Sequence, residues 1–400
     1  MYADAVVIGG GPAGLSSAIG LARAGLNVHL FEQRPAWRRR VCGAFLSPEA
    51  AQQMDWLGIL KKAYAQGAVP CASLSLQQGA NLIPNFPLAD PPFDSFYLPL
   101  AMERKTLEEL LAQKAKESGV HLHLGVKAAE LYRQSEGGWL IDFSSTMVHA
   151  RVVVLADGRH STFRQKINNA HTHTQESVKA KKGWLGFNGE FKGLDREPGK
   201  LSLYIFFQAY VGLLSFGNGL TNVSGLIHSS LKDHFKTDWE QTVRHLLKAD
   251  LALLGELSSA QQVGAWIGVG ALPFGGHMQE RSSIFQVGDS AGVFDPFMGE
   301  GIGRSLASGE LLYRLFNNKE ISQKSLVRIH QKYVRVWKRE YKTRKIMGKT
   351  LRFALGRNWP IAKLLRFITS RAPLRRLLLK SAHHSRDLGT GVVTHGLLDG

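Results

Sequence analysis

The first 32 residues constrain the fold of this chain more than any other stretch. The apolar run Ala5-Val6-Val7-Ile8 has the length and composition of a buried strand. It leads into Gly9-Gly10-Gly11-Pro12-Ala13-Gly14, which fits the pattern G-x-G-x-x-G and is followed by apolar residues at helical spacing. A second strand-like run, Val28–Phe31, ends in Glu32, 18 residues after Gly14. The stretch therefore predicts a βαβ unit with a glycine-rich first turn.

Each residue type in this unit suits the binding of a dinucleotide. Gly9 permits a tight turn, Gly11 leaves room for a pyrophosphate beside the backbone, and Gly14 lets helix and strand pack closely. The amino end of the helix offers N–H groups and a positive dipole end to phosphates, and Glu32 can accept hydrogen bonds from a ribose diol. A glycine-rich turn in an ordinary βαβ unit is the alternative, but all these features in register favour the nucleotide site.

Length and cysteine content place limits on the class of protein. Four hundred residues are enough for two or three domains with a large core. The two cysteines, Cys42 and Cys71, cannot form a disulfide framework, which predicts a reducing compartment. No basic segment opens the chain, and no apolar run reaches the roughly 18 residues that span a bilayer. We therefore expect a cytoplasmic protein without a signal peptide or a membrane-spanning helix.

The formal charge of +18 is concentrated near the C-terminus. Residues 324–386 contain 19 Lys and Arg against one acid, Glu340, which leaves 31 bases and 31 acids for the rest of the chain. Apolar residues recur there at helical spacing, at Leu326, Ile329, Tyr333 and Trp337. Further helices are predicted from Trp359 and from Pro373. The charge pattern predicts a basic helical appendage rather than a basic catalytic groove.

Two interpretations of this appendage stay open. Basic faces with aromatic and leucine stripes suit an anionic membrane surface, which would place the protein peripherally at the inner face of the membrane. The other interpretation is a helical layer packed on the body, with its basic face in solvent. No base-reading module is recognisable, so we expect no nucleic-acid partner.

The rest of the chain alternates between strand-like and helical patterns. Ser47 and Pro48 open a predicted helix, and Arg104 opens another that ends near Gly119. Strand-like runs are His121–Leu124, Trp139–Phe143, Val148–Leu155, Trp266–Phe274 and Ser283–Val287, and residues 184–228 alternate as in an antiparallel sheet. Residues 238–254 are predicted to form one helix, and another is predicted from Arg304 to Phe316.

A strand, a glycine-rich turn and a helix thus occur at both ends of the body. We therefore predict an α/β fold whose Rossmann-like domain is discontinuous and consists of residues 1–70, 101–183 and 275–318. An antiparallel-sheet substrate domain of residues 71–100 and 184–274 is inserted into it. A basic helical C-terminal region, residues 319–400, follows.

Three separated motifs resemble those of the FAD-binding oxidoreductases of the p-hydroxybenzoate hydroxylase fold. They are the first glycine turn with Glu32, the turn Ala156-Asp157-Gly158, and Gly288-Asp289 followed by Gly299-Glu300-Gly301-Ile302. The resemblance covers about residues 4–315. It implies FAD, with the ADP part at the first motif and the second motif beside the cofactor. Asp289 would then hold the ribityl and pyrophosphate part, and the Gly301-Ile302 backbone would face the flavin ring.

Two further motifs resemble the geranylgeranyl reductase-like branch of that fold. They are Cys42-Gly43-x-x-x-Ser47-Pro48 and the run from Asp295 to Ile302. The branch usually carries Tyr-x-Trp-x-Phe-Pro in its substrate sheet. This chain keeps the tyrosine, Tyr210, but has Gly212 in place of the tryptophan and Ser215 in place of the proline.

The resemblance and the residue types together define the predicted site. Its cofactor-binding residues are Gly9, Gly11, Pro12, Ala13, Gly14, Glu32, Gln33, Arg34, Cys42, Gly43, Arg104, Val126, Asp157, Gly158, Gly288, Asp289, Pro296, Gly299, Gly301 and Ile302. Cys42 is also the candidate catalytic residue, with inert packing as the alternative. Tyr210 lines the substrate cavity or is a packing residue. The fifteen histidines show no metal-ligand spacing, so no metal site is predicted.

These features predict an FAD-dependent oxidoreductase that acts on an apolar small molecule of isoprenoid, lipid-like or aromatic type. Reduction of a carbon–carbon double bond is the first mechanism. Hydroxylation with NAD(P)H and oxygen uses the same fold and stays open, as does a non-enzymatic binding protein that has lost FAD. No second G-x-G-x-x-G occurs, so we expect NAD(P)H or another electron donor to bind transiently.

Overall fold

The computed structural model describes residues 1–88, 97–163, 183–232, 238–276, 278 and 284–370. The helix predicted from Pro373 lies outside these residues. The strands in the described part of the chain are β1 (Tyr2–Ile8), β2 (Val28–Glu32), β3 (Phe45–Leu46), β4 (Val69–Pro70), β5 (Ser73–Gln78), β6 (Asn81–Pro87), β7 (Leu100–Ala101), β8 (His121–Leu124), β9 (Glu130–Arg133), β10 (Trp139–Asp142), β11 (Met147–Leu155), β12 (Trp184–Lys192), β13 (Leu201–Phe206), β14 (Ala209–Ser215), β15 (Leu220–His228), β16 (Gln261–Gln262), β17 (Ile267–Val269) and β18 (Ile284–Gln286).

The helices of the same residues lie around and between these strands. They are α1 (Pro12–Arg23), α2 (Pro48–Leu57), α3 (Leu60–Ala65), α4 (Arg104–Glu117), α5 (Ser229–Lys232), α6 (Trp239–Leu247), α7 (Leu251–Ser259), α8 (Gly301–Phe316), α9 (Gln323–Gly356) and α10 (Ile361–Thr369). Short 3₁₀ turns cover Gly288–Ser290 and Pro296–Met298. Among the described helices, none combines the length and the apolar composition that crossing a bilayer requires.

The nucleotide half of the molecule is built on a mainly parallel sheet. Strands β8, β2, β1 and β11 lie side by side in that order, and all pair in parallel. The last residues of β11 pair in parallel with β18, whereas its first residues pair with the β9–β10 hairpin. Parallel order with helical crossovers is the arrangement that the first βαβ unit predicts, and the predicted α/β fold class is confirmed.

The inserted half is a mixed sheet in the order β16-β12-β15-β14-β13-β5-β6, with β17 beside β12. Its pairs are antiparallel except for β13 with β5. Strands β14 and β15 are buried on both faces, because α6 and α7 cover one side and the cavity described below lies on the other. The strands of both sheets fall within the segments assigned from the sequence, while the domain boundaries stay predictions.

Two predicted elements were wrong in detail. The single helix over residues 238–254 is two helices, because Asp250 accepts a hydrogen bond from the Leu253 amide at 3.0 Å and begins a second helix. The strand over Trp266–Phe274 is reduced to β17, because a strand ladder extends only where a partner pairs, and β12 pairs with three of these residues.

The first part of the basic region packs on the body of the protein. Leu326, Ile329 and Tyr333 of α9 are buried in the main core, and Trp337 packs against it. The Tyr333 hydroxyl donates to the Gln286 carbonyl at 2.6 Å, which fastens α9 to β18. This predicted stripe is therefore part of the core, whereas the second half of α9 and α10 extend along the mixed sheet.

A close backbone contact joins α1 to α8. A β-carbon on Gly20 would collide with the carbonyl group of Gly309, and one on Gly309 would collide with the backbone of Ser16. The Ser16 hydroxyl donates to the Leu306 carbonyl at 2.5 Å. Helices approach this closely only where small residues face each other. Gly20, Gly309 and Ser16 therefore fix how α1 and α8 lie against each other, although Ser16 and Leu306 are 290 residues apart in the chain.

Three histidines stack at the edge of the parallel sheet. The ring of His29 on β2 lies 4.4 Å from that of His121 and 5.2 Å from that of His123. The Nδ1 atom of His29 is 3.0 Å from Nε2 of His123. Burial, with repulsion from the other two rings, lowers the pKa of His29 from 6.5 to about 4.

This shift makes the stability of the fold depend on pH. His29 is harder to protonate in the folded state than in the unfolded chain. At pH values between the two pKa values of His29, the unfolded chain therefore binds more protons than the folded protein. The stabilisation is complete above pH 6.5 and is lost as the pH falls toward 4. We expect His29→Phe to flatten the fall of the free energy of unfolding between about pH 6.5 and pH 4, by at most about 1.4 kcal/mol per pH unit.

Urea unfolding at several pH values measures this slope. His149→Phe is the control, since His149 is half-buried on the same sheet but stacks on Tyr2 outside the cluster. An unchanged slope in His29→Phe would show that the cluster does not titrate on folding.

Candidate functional site

The first glycine turn has the geometry of a backbone cradle. Gly9 adopts a φ of +112°, and a β-carbon on it would collide with the carbonyl group of Ala156. A β-carbon on Gly14 would collide with the Gly9 carbonyl oxygen, because α1 starts directly against the end of β1. A β-carbon on Gly11 would meet nothing within 4 Å. The turn is thus closed toward the protein and open at Gly11, where the amino end of α1 begins.

The second and third motifs end beside this turn. The Ala156 amide donates to the Ile8 carbonyl at 2.8 Å, so the Asp157-Gly158 turn follows directly after β11. The Val287 amide donates to the Leu155 carbonyl at 2.9 Å, and the Ser290 hydroxyl donates to the same oxygen. Parallel strands that end together therefore bring the three predicted motifs to one edge of the sheet.

Glu32 lies against the backbone of the glycine turn. Its carboxylate accepts from the Gly10 amide at 2.7 Å and from the Arg34 amide at 3.0 Å. The Val126 amide donates to the Glu32 carbonyl at 3.0 Å, which places Val126 beside the same strand end, while Gln33 is exposed next to it. Each carboxylate oxygen can accept more than one hydrogen bond, so contact of Glu32 with a ribose stays a prediction.

Four arginines, Arg34, Arg40, Arg104 and Arg159, form a cluster near these motifs. Burial alone would lower the pKa of Arg104, but Glu108, with Cys42 and Asp289, holds it above its ordinary value. Burial lowers the pKa of Arg40 and of Arg159, and both are also repelled by Arg104 and Arg34. Cations that are partly buried and repel one another are stabilised by a bound anion.

One member of the arginine cluster, Arg104, is held by an ion pair. The Arg104 Nε atom donates to the Glu108 carboxylate at 2.9 Å, one turn along α4. The Nε atom of Arg40 is buried without a hydrogen-bond partner in the described part of the chain. Net charge did not reveal the cluster, because Glu32, Glu108 and Asp289 offset three of its four charges in the formal count.

These features fit the phosphates and the ribityl chain of FAD. Backbone N–H groups at the start of α1, the open position at Gly11 and the arginine cluster suit a pyrophosphate. At the third motif, a β-carbon on Gly301 would also meet nothing within 4 Å, so the amino end of α8 is open toward the same space. The predicted cofactor residues thus lie where these features meet, and their contact with FAD stays a prediction.

A single cavity of about 700 Å³ adjoins the third motif. Nine of the predicted cofactor residues line it: Pro12, Cys42, Gly43, Arg104, Asp289, Pro296, Gly299, Gly301 and Ile302. The mixed sheet contributes aliphatic and aromatic side chains to its wall, and the helices α9 and α10 contribute others. The remaining predicted residues lie at the glycine turn and beyond it, outside this cavity wall.

Cys42 lies on the cavity wall and is held by the mixed sheet. Its carbonyl oxygen accepts from the Asn222 side chain at 3.2 Å and from Asn188 at 3.5 Å, and these two buried side chains also bond to each other. Its Sγ atom accepts from the Ala44 amide at 3.3 Å. Sequence reasoning missed this asparagine pair, since nothing local marks two strand residues as partners of a distant loop.

The Asp295 carboxylate lies in the cavity wall beside apolar side chains of the mixed sheet and of α9. The Asp295 carboxylate accepts from the Phe297 amide at 3.1 Å and pairs with Arg352 of α9, whose guanidinium lies 4.0 Å above the Phe274 ring. Burial raises the pKa of Asp295, and Arg352 opposes this rise. Burial also raises the pKa of Tyr210 well above its ordinary value, so its hydroxyl stays protonated. Tyr210 lines the cavity and packs edge-on against Phe297.

The chain is similar to known proteins over most of its length. The family model described as "FAD binding domain" matches residues 2–314. Menaquinone reductase of Mycobacterium tuberculosis is 26% identical over 350 residues, covering 80% of this chain and 78% of that protein. Digeranylgeranylglycerophospholipid reductase 1 of Methanosphaera stadtmanae is 23% identical, covering 82% and 80%.

A solved structure has the same fold along nearly the whole chain. It is a geranylgeranyl bacteriochlorophyll reductase-like protein of Thermoplasma acidophilum, with a TM-score of 0.75 and 19% identity. The match covers 96% of this chain and 97% of that one. The fold of this chain is therefore one that other proteins share.

Glycine substitutions separate the binding role of the turn from its structural role. We expect Gly11→Val to fold but to lose FAD, because its side chain would occupy the open space without touching the protein. We expect Gly14→Val to lower the thermal midpoint of the apoprotein strongly, because its side chain collides with the Gly9 backbone.

Flavin absorbance per polypeptide after incubation with FAD, together with thermal unfolding of the apoprotein, measures both effects. Gly255→Val is the control, because Gly255 is exposed on α7 and a β-carbon there meets nothing within 4 Å. Full flavin content in Gly11→Val would remove the glycine turn from the cofactor site.

Proposed function

The chain belongs to the FAD binding domain family, as its three motifs predict, and from this we propose that it reduces a carbon–carbon double bond of a bulky apolar substrate. The observation that carries the proposal is the cavity, whose wall combines residues of the third motif with largely apolar strands of the mixed sheet and with the helices α9 and α10. Bound FAD would fill the space beside the predicted cofactor residues, and the rest of the volume of about 700 Å³ suits an isoprenoid or lipid-like chain.

The composition of the wall supports a substrate with few polar groups. Leu74, Leu76 and Ile83 line it from one edge of the sheet, and Leu203 and Leu226 line it from the centre. Gly212 lines it as well and, having no side chain, takes none of the cavity's space. The two curated relatives named above are both reductases by name, and their names specify lipid-soluble substrates, which favours reduction over other flavin chemistry.

Bound FAD would supply the two electrons of the reduction as a hydride, and the remaining requirement is one proton for the second carbon. The candidates on the cavity wall that the sequence had singled out are the Cys42 thiol and the Tyr210 hydroxyl. Cys42 is the better donor of the two, because it is itself one of the predicted cofactor residues that line the cavity, and because a tyrosine with a raised pKa is a weak acid. We assign Cys42 the role of proton donor.

Of the other polar groups near the cavity, Tyr210 would orient the substrate. Asp295 of the cavity wall is paired with Arg352, so its charge is satisfied without a substrate group. Tyr210 keeps its hydroxyl protonated and can donate a hydrogen bond to a single polar end group. The apolar wall would exclude water around the reacting carbons.

The runner-up is hydroxylation with NAD(P)H and oxygen, which the same fold and cavity can accommodate. Either reaction needs an external electron donor, and NAD(P)H or another carrier would bind transiently. A non-enzymatic binding protein is the third alternative, and a purified protein without yellow colour would favour it.

Product analysis separates reduction from hydroxylation. With chemically reduced enzyme and an unsaturated isoprenoid, we expect a product that has gained two hydrogen atoms, because hydride and proton add across one double bond. Mass spectrometry under labelled oxygen makes the measurement. Labelled oxygen in the product would support the hydroxylase instead, while a bound flavin with neither product would point to another substrate class.

The two cysteines provide a matched pair for the proton donor. We expect Cys42→Ala to lower the rate of product formation by about 100-fold, the usual contribution of a general acid. We expect Cys71→Ala to lower it little, because Cys71 is buried outside the cavity and burial raises its pKa to about 12. Both variants must keep their flavin content, and equal rates in the two would return Cys42 to a packing role.

A further inference from the structure

The helices α9 and α10, which line the cavity, carry both apolar and basic side chains on their exposed surface. Ile346, Trp359 and Leu364 line the cavity, and yet they are 58%, 47% and 54% exposed. A side chain that contacts the cavity and the solvent at once lies at the mouth. Phe353 and Phe367, on the same two helices, are also about half exposed. These five residues form the cavity rim, an apolar surface larger than the scattered apolar residues of ordinary protein surfaces.

The rim is surrounded by positive charge. Residues 341–370 contain eight Lys and Arg and no Asp or Glu. Lys349, Arg357 and Lys363 of this segment are exposed, and the Arg357 guanidinium lies 4.5 Å above the Phe353 ring. Arg352, in contrast, pairs with Asp295 in the interior. The exposed charges of Lys349, Arg357 and Lys363 are therefore all positive.

The helices that bear the rim are anchored to the mixed sheet. The Gln78 side chain of β5 donates to the Trp359 carbonyl at 2.8 Å and accepts from the Ala362 amide at 3.0 Å. Ile361 and Ala362, the first two residues of α10, are buried, and so are Ala354 and Leu355 near the end of α9. The apolar rim is thus a second apolar face, separate from the face that packs on the protein.

We propose that the cavity rim docks on an anionic lipid bilayer, so that the cavity opens directly into the apolar part of the membrane. Cations beside aromatic and aliphatic side chains match lipid headgroups above acyl chains. A second copy of this chain would place like charges together, and nucleic acid would leave the aliphatic side chains in water. The proposal extends the proposed function, because an apolar substrate would then enter the cavity without crossing water.

Vesicle sedimentation of the full chain tests the docking without any turnover. The probes are vesicles of phosphatidylcholine and vesicles in which a third of the lipid is phosphatidylglycerol. We expect the protein to sediment with the anionic vesicles only and to be released by salt, which screens charges near the surface. Equal sedimentation with both kinds of vesicle, or with neither, would overturn the proposal.

Matched variants on the two halves of the basic region locate the surface. We expect Phe367→Ser to weaken binding about tenfold, because a half-exposed phenylalanine would lose its burial in lipid. Val327→Ser is its control, since Val327 is 50% exposed on α9 and lies 19 residues, about 28 Å, before Ile346.

A second set of variants removes positive charges instead of an apolar side chain and has its own matched control. We expect Lys349→Gln with Lys363→Gln to weaken binding about 25-fold, roughly fivefold for each charge near the surface. The exposed pair Lys324 and Lys332, on the first half of α9, is the control when both are changed to Gln. Equal loss in the two double variants would overturn the assignment of the rim.

Flavin content and the product formed from detergent-dispersed substrate are measured in parallel for the control variants and the wild type. If vesicle binding follows the rim but no reduced product forms, the proposed reaction is wrong and the docking surface stands. If product forms but the vesicles are not bound, only the docking surface fails.

Discussion

The close contact between α1 and α8 is the constraint on which the nucleotide half of the molecule depends. Gly20 and Gly309 leave no space for a β-carbon, so the two helices meet backbone to backbone. Their amino ends are then fixed beside each other, one at Gly11 and the other at Gly301. Because both ends carry open glycines and unpaired N–H groups, one extended ligand with phosphates can meet both.

The second constraint is the attachment of the loop after β2 to the mixed sheet. Arg39 pairs with Glu190 at 3.2 Å and donates to the Ala265 carbonyl at 2.7 Å, while the asparagine pair holds the backbone of Cys42. A loop that begins at the nucleotide edge is thereby pinned across to the substrate wall. This fixes the thiol on the wall of the cavity rather than in solvent.

The basic region contains two different apolar faces with two different consequences. Leu326, Ile329 and Tyr333 complete the core below β18, and the region is therefore a structural part of the body. Farther along the same helix, Arg352 reaches inward to Asp295 while Ile346 and Phe353 remain exposed. One continuous helix thus closes the core at its start and borders the cavity at its end, which links the position of the rim to the packing of the fold.

The sequence by itself determined what depends on neighbours along the chain. Strand, glycine turn, helix and terminal acid lie within 32 residues, so their φ preferences and helical spacing identified the βαβ unit directly, and two further local motifs completed the family resemblance. The sequence did not predict the helix break at Asp250, because a capping aspartate and an aspartate inside a helix cannot be distinguished without the backbone geometry. Only the tertiary structure decided which distant groups meet: Gly20 with Gly309, Arg40 with Arg104, Asn222 with Cys42, and Asp295 with Arg352. Such contacts arise from the packing of whole sheets and helices, and no local spacing encodes them.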